Sequence, residues 1–292
     1  MGRKFKFGPF DAAAYIVVTL AMFACVFPFM HIISLSLSSV RAVNMMKVRL
    51  LPVEFTLQTY GLVVQDRSMI RSMFFTITVV VAYTALAMVV TVSAAFALNK
   101  KRLAGRWFFM TLMIITMYFS GGIIPEYINM KNLGLTNTFW CLVLPGLLSV
   151  YNMIIMRSFF NSGVPAGIEE SATIDGCSDF GVLLRIILPI SKPVLSTITL
   201  FYAVGRWNGF MDALMYITNP NLYPLQLKLY QIVYNSMTLD IMQNEGAAAS
   251  VRLPPDSLKS ASVIFATFPI LLVYPYLQKY FVVGVTLGSL KE

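Results

Sequence analysis

The chain has one histidine and three cysteines, Cys25, Cys141 and Cys177, with no C-x-x-C pair among them. That leaves almost no material for a Cys/His zinc site or a disulfide framework. Charge is scarce as well: 12% of the 292 residues are charged and 58% are hydrophobic, where globular chains have about 25% and about 45–50%. With a mean hydropathy of +0.73, this composition excludes a water-soluble globule. A phosphate-cradling G-x-x-x-x-G-K-[ST] loop is also missing, because the one Lys-Ser pair, Lys259-Ser260, has no glycine just before it. The chain therefore binds no cofactor of its own in this reading, and ATP-driven work must be borrowed from a partner.

What the sequence does have is a series of long uncharged runs. Ala12 to Val40, Ser72 to Asn99, Trp107 to Pro125, Asn132 to Met156 and Ser260 to Gln278 contain no Asp, Glu, Lys or Arg. At about 1.5 Å per helical residue each can cross about 30 Å of hydrocarbon. A sixth run, Ile186 to Gly205, carries Lys192 with Pro189 and Pro193; a lysine near one end can snorkel, and proline is tolerated in a first turn. The pattern predicts an all-α membrane protein of six transmembrane helices. The first run exceeds the apolar segment of a signal peptide and ends without a small-x-small cleavage site, so it is expected to stay as an anchor.

A net charge of +9 would suggest nucleic acid if it formed a surface patch. Here the charges lie between apolar runs, where they report orientation, and no nucleic-acid partner is expected. Lys100, Lys101, Arg102 and Arg106 crowd the loop after the second run, whereas the short loop after the third has Lys131 against Glu126. The basic loop is therefore cytoplasmic. Arg3, Lys4 and Lys6 agree, which puts both termini and the segment from Met156 to Ile186 in the cytoplasm, with Arg41 to Arg71 and Arg206 to Lys259 outside. The expected division is a cytoplasmic N-terminus over 1–11, a membrane domain over 12–284 and a cytoplasmic tail over 285–292. Asn219, Pro220 and Pro224 make a further crossing by Ala213 to Leu227 improbable.

None of the six runs holds an Asp or Glu, and His31 is their one titratable group of note. A proton- or sodium-driven carrier needs midplane carboxylates or broken ion-binding helices, so ion coupling is disfavoured. His31 reads as a neutral side chain bonded to a neighbouring helix. A membrane-embedded enzyme would need a nucleophile and base, or a metal, within the runs, and no carboxylate accompanies His31 there.

The cytoplasmic segment 164–193 reads VPAGIEESATIDGCSDFGVLLRIILPISKP. Pro165 can start a short helix, Glu169 and Glu170 suit its first turn, and Gly176 can end it. A second helix from about Ser178 would show Phe180, Leu183, Leu184 and Ile187 as its apolar stripe. Periodicity alone would make this an interfacial amphipathic hairpin.

Glu170-Ser171-Ala172, then Gly176 after three residues, Ile186 after nine more, and Leu188-Pro189 resemble the EAA loop, E-A-A-x3-G-x9-I-x-L-P, of binding-protein-dependent ABC importer permeases. Ser171 stands for the central alanine, a small-for-small change. Gly121-Gly122-Ile123-Ile124-Pro125, Leu133-Gly134-Leu135-Thr136-Asn137-Thr138, Tyr151-Asn152 with Arg157-Ser158-Phe159-Phe160, Trp207-Asn208, and Gln278-Lys279-Tyr280-Phe281 with Gly284 extend the resemblance to the carbohydrate subgroup, over the whole chain from about Ala12. Maltose-type and complex-oligosaccharide systems are the nearest in pattern, with FSGGIIPEY and YNMIIMRSFF resembling the branch that handles pectin- and alginate-type fragments.

The resemblance implies a type I ABC importer permease fold in the bacterial cytoplasmic membrane. It implies as partners a homologous second permease, two ATPase subunits that use ATP and magnesium, and an extracytoplasmic solute-binding protein. The coupling loop, about 164–185, would seat in a groove of the ATPase. Glu169, Glu170, Ser171 and Ala172 would form the coupling contact, in which Glu170 would pair with a basic group and orient the helix and Ala172 would allow close approach, and Asp175 would cap the next helix or brace the turn. Gly176 would make a turn too sharp for a side chain, and Leu188 and Pro189 would lead into the fifth span. The tail from Gly284 would reach the ATPase interface. For a sugar pathway, aromatic faces and amide or hydroxyl groups are needed, and Tyr118, Tyr151, Asn152, Tyr202, Trp207 and Asn208 are available, with Arg206 for an acidic sugar. An ABC permease for an amino acid, polyamine or phosphonate is the nearest alternative.

Overall fold

A computed structural model describes residues 8–164, 166–244 and 256–289, with side chains described throughout except at 166, 169, 170, 235–244 and 276–289. In chain order the helices are α1 (Pro9–Ser36), α2 (Val40–Asn44), α3 (Gln58–Gln65), α4 (Arg67–Asn99), α5 (Arg106–Tyr118), α6 (Ile123–Asn132) and α7 (Val150–Gly163). They continue as α8 (Ala166–Ile174), α9 (Asp179–Val182), α10 (Leu188–Ile190), α11 (Lys192–Asn208), α12 (Met211–Tyr216), α13 (Leu225–Asn244) and α14 (Asp256–Ser289). Among the described residues the one β contact is an isolated antiparallel bridge, Ser38 with Phe55.

Three of these helices are long and apolar enough to cross a membrane: α1, α4 and the stretch Asp256–Pro275 of α14. Two bent pairs would raise the number to five: α5 with α6, at 113°, and Asp179–Ile190 with α11, at 86°. Three of the six expected runs are not single unbroken helices. The third run breaks at Gly121-Gly122, where Gly122 takes φ +87° and begins α6. The fourth run, Asn132 to Met156, is no single helix. It leaves α6 through Gly134 (φ +67°) and Asn137 (φ +58°), makes a 3-10 turn at Phe139–Leu142, passes Gly146 (φ +72°), and becomes helical only from Val150. Each break is a left-handed residue, which glycine adopts at little cost and asparagine more readily than most others. The fifth run bends between two prolines, each in the first turn of a helix. The segment 213–227 holds α12, a 3-10 turn at Pro220–Leu222 and the start of α13, with no crossing helix.

The chain forms two compact units. One comprises Met1–Ile70 with Leu229–Phe268, the other Arg71–Lys228 with Pro269–Glu292. In the first unit, the serine-rich end of α1 holds the following loop. Ser34 Oγ donates to the Leu50 carbonyl at 2.6 Å, and Ser38 Oγ accepts from Val53 N at 3.0 Å. His31 Nδ1 lies 2.5 Å from the Arg49 carbonyl, so its partner is this loop and not a neighbouring helix.

In the second unit, α4 supplies the packing face. Ala87, Thr91 and Ala95 are fully buried at four-residue spacing. In lipid, where apolar surface gains nothing by leaving water, small residues let helix backbones approach closely. Met153, Met156, Ile187 and Ile198 fill the space they leave. The opposite face of α4, with Phe74, Val81 and Val89, is exposed, as a lipid-facing surface should be.

Candidate functional site

The segment 164–190 forms the expected helical hairpin. Gly176 takes φ +80°, and its N–H donates to the Thr173 carbonyl at 3.1 Å while Cys177 N donates to the Ala172 carbonyl at 2.9 Å. These two bonds define a Schellman cap, which closes α8 and satisfies its last carbonyls. A Cβ built on Gly176 would meet nothing within 4 Å. The glycine is thus required by its dihedral and not, as expected, by lack of room.

Asp175 does not cap the next helix. Ser178 does, accepting from Gly181 N at 3.2 Å, while Asp175 N donates to the Ser171 carbonyl at 3.0 Å. The buried face beyond the turn is Val182, Leu183 and Ile187; Phe180 and Leu184 are exposed, which shifts the expected stripe. Ala172 is buried with this cluster. Ser171 is exposed, its hydroxyl donating to the Gly167 carbonyl at 2.8 Å. The backbone of Glu169 and Glu170 lies in α8, but both side chains, Pro165 and the end of the tail fall outside the described residues.

Between α9 and α10, residues Leu183–Ile187 form a π-turn, with Leu188 N donating to the Leu183 carbonyl. Pro189 has no N–H to donate to the carbonyl four residues back, and a widened turn ahead of it accommodates the ring. Asp179 makes ion pairs with Arg102 and, at 3.4 Å, with Lys100. The basic loop after α4 and the hairpin are therefore on one side of the molecule, as the charge distribution requires.

Away from the hairpin, the second unit carries an open cavity of about 830 Å³. One wall is the irregular backbone between α6 and α7. At membrane depth such backbone is tolerated only where its polar groups are satisfied within the protein, and three distant side chains satisfy it. The Tyr83 hydroxyl donates to the Gly146 carbonyl at 2.8 Å, and Arg206 Nη2 donates to the Pro145 carbonyl at 3.3 Å. Tyr202 Oη accepts from Ser149 N at 3.0 Å and lies 2.6 Å from Thr91 Oγ1. The Tyr83 and Tyr202 rings meet edge to face at 5.9 Å. Below, Asn137 Oδ1 accepts from Thr218 N at 2.6 Å and Asn219 N at 3.0 Å, tying the loop after α6 to the loop after α12.

The charged groups lining the cavity are Glu126, Arg206 and Asp212. Arg206 Nη1 donates to Asp212 Oδ2 at 2.7 Å, and the guanidinium carbon sits 4.3 Å from the Tyr83 ring centroid. Asn129 and Asn152 add amides. Tyr216, outside the spans, has its phenol pushed up by burial, then by the Asp212 and Glu126 carboxylates. The chemistry of such a set suits polyhydroxylated solutes: amides and carboxylates can take hydroxyl groups, and tyrosines supply flat apolar faces.

Of the seven expected pathway residues, Asn152, Tyr202 and Arg206 meet at this cavity. Tyr118, Tyr151 and Asn208 are exposed and lie outside it. Trp207 is buried and lines a separate apolar pocket of about 320 Å³ with Val81, Val204, Ile270 and Tyr274. Tyr83, Glu126, Asn129 and Asp212 escaped sequence reasoning. The Gly121-Gly122 break is the signal that could have found Glu126, since it starts a new helix whose first turn favours a carboxylate.

A family model described as the binding-protein-dependent transport system inner membrane component matches residues 92–286. The chain belongs to this family. The permease is 38% identical over 282 residues to the polygalacturonan/rhamnogalacturonan transport system permease protein YtcP of Bacillus subtilis (strain 168), covering 97% of this chain and 98% of that protein. It is 41% identical over 267 residues to protein LplC of the same organism, covering 91% and 89%. Its fold matches, with a TM-score of 0.84 and 29% identity over 96% of this chain and 99% of the other, a chain in the crystal structure of a bacterial ABC transporter involved in the import of the acidic polysaccharide alginate. The permease is thus a multi-pass, all-α membrane protein with the type I ABC importer permease fold.

Proposed function

We propose that this chain is the transmembrane subunit of an ATP-driven importer that passes an acidic oligosaccharide delivered by an extracytoplasmic binding protein across a bacterial cytoplasmic membrane. The observation that carries the reading is near full-length similarity to a polygalacturonan/rhamnogalacturonan permease, joined to a cavity lined by amides, tyrosines, one arginine and the carboxylates of Glu126 and Asp212, of which Asp212 is paired with the arginine. The chain performs no chemical step. Its cavity is completed by a homologous second permease, and two ATPase subunits supply the energy.

The hairpin 164–185 is the lever. It follows from the ion pairs of Asp179 with Lys100 and Arg102 that the hairpin shares a side with the basic loop, which the positive-inside rule assigns to the cytoplasm. The π-turn and the 86° bend connect it without a flexible linker to α11, which carries Tyr202 and Arg206. Closure of the ATPases is thereby passed to the cavity as a rigid displacement. In the same reading, 1–11 and 285–292 are cytoplasmic and flank the membrane domain 12–284.

Two measurements test this reading. Reconstituted with its partners, the transporter should accumulate a galacturonate oligosaccharide only with ATP and the binding protein; uptake without either contradicts it. Glu170→Lys should reduce co-purification of the ATPase subunits by about tenfold, the equivalent of one charge-assisted contact, and unchanged recovery removes Glu170 from the interface.

A further inference from the structure

Arg206 is the one cation lining the cavity among the described residues, and it is already paired. Its side chain is 10% exposed, whereas that of its partner Asp212 is 38% exposed. Two further contacts hold the guanidinium independently of Asp212: the Pro145 carbonyl at 3.3 Å and the Tyr83 ring at 4.3 Å. If the pair opens, Arg206 keeps its place and Asp212, the more solvated group, moves.

Resting on the acidic-oligosaccharide reading above, we propose that Asp212 is a built-in stand-in for a substrate carboxylate. A uronate carboxylate entering the cavity replaces it on the Arg206 guanidinium. A buried cation left unpaired would be costly in the empty cavity and would hold an acidic sugar too firmly to release. Exchange of one carboxylate for another keeps the guanidinium paired throughout, so the acid gains selectivity without tight binding. A neutral sugar has no group that competes with Asp212 for the charge-assisted bond. Arg206 and Asp212 together would therefore set preference for acid over ester, separately from any choice made by the binding protein.

The test uses the complete reconstituted transporter with one binding protein and compares ATP-dependent uptake of a galacturonate trisaccharide with that of its methyl ester. The acid-to-ester ratio is measured for the native chain, Arg206→Gln and Asp212→Asn; the binding protein's own preference cancels when the ratios are compared. Arg206→Gln should lower the ratio about tenfold, the worth of one charge-assisted bond. The ratio compared is that of kcat/KM values, which slow release does not lower: Asp212→Asn removes the competitor and should raise it, with a lower KM and a lower maximal rate for the acid. Ratios unchanged in both variants overturn the exchange. Should Arg206→Gln fail to assemble, Asp212→Asn decides alone: a raised ratio supports the exchange, and an unchanged or lowered one overturns it. Absence of uptake of both sugars by the native transporter would count against the proposed function instead.

Discussion

Gly176→Val is expected to abolish coupled uptake while leaving the subunit in the membrane with its partners' ATP hydrolysis intact. Gly176 holds φ +80°, a region that costs an L-residue about 1–2 kcal/mol and a β-branched one more. Open space surrounds the position where a Cβ would sit, so the penalty is conformational. Valine would shift the backbone out of the left-handed region and release the bonds from Gly176 N and Cys177 N, fraying the end of α8 where the lever must stay rigid. Gly176→Asn, which tolerates the same dihedral, should keep most of the transport. Parallel assays of uptake and ATP hydrolysis separate the cases. Equal loss in the valine and asparagine variants would mean that the dihedral is not what the turn needs.

The second large effect is expected at Tyr202. Its hydroxyl serves two partners, Thr91 Oγ1 at 2.6 Å and Ser149 N at 3.0 Å, and both it and Thr91 are buried. Tyr202→Phe removes no carbon atoms from the packing but strands these groups, and a buried unsatisfied polar group costs about 1–3 kcal/mol. A loss of about 3 kcal/mol is expected, read as a lowered unfolding temperature of the purified protein. Tyr151→Phe, at an exposed tyrosine, should change it little. Similar temperatures for both variants would show that the hydroxyl of Tyr202 does not staple the cavity wall.

The contrast between those two tyrosines shows what could be read from the sequence. Hydropathy found the apolar runs, because length and the absence of charge need no partner to be visible. The hairpin was legible for a similar reason: Gly176 and Ser178 act within a few residues of themselves, through a Schellman turn and an N-cap. The breaks were not legible. Gly146 and Asn137 can leave the helix only because Tyr83, Arg206 and the Tyr216 carbonyl take up the freed backbone groups from 63, 61 and 79 residues away. Nothing local to Asn132–Met156 announces those partners.

The pathway residues followed the same division. Tyr118, Tyr151 and Asn208 have suitable chemistry, yet each is exposed and lies outside the cavity. Asp212 lay beyond the end of an apolar run, where a carboxylate is ordinary; the turn between α11 and α12 brings it, six residues on, within 2.7 Å of Arg206.

A lever driven by cytoplasmic ATPases requires the hairpin to face the cytoplasm. Asp175→Cys, made in a chain with Cys25, Cys141 and Cys177 replaced, can be probed with a membrane-impermeant thiol reagent in sealed vesicles of both orientations. Asp175 is exposed in the turn after α8, so the reagent should reach it. Modification in inside-out vesicles and protection in right-side-out vesicles is the predicted result; the reverse pattern would put the lever out of reach of any cytoplasmic ATPase and contradict the account.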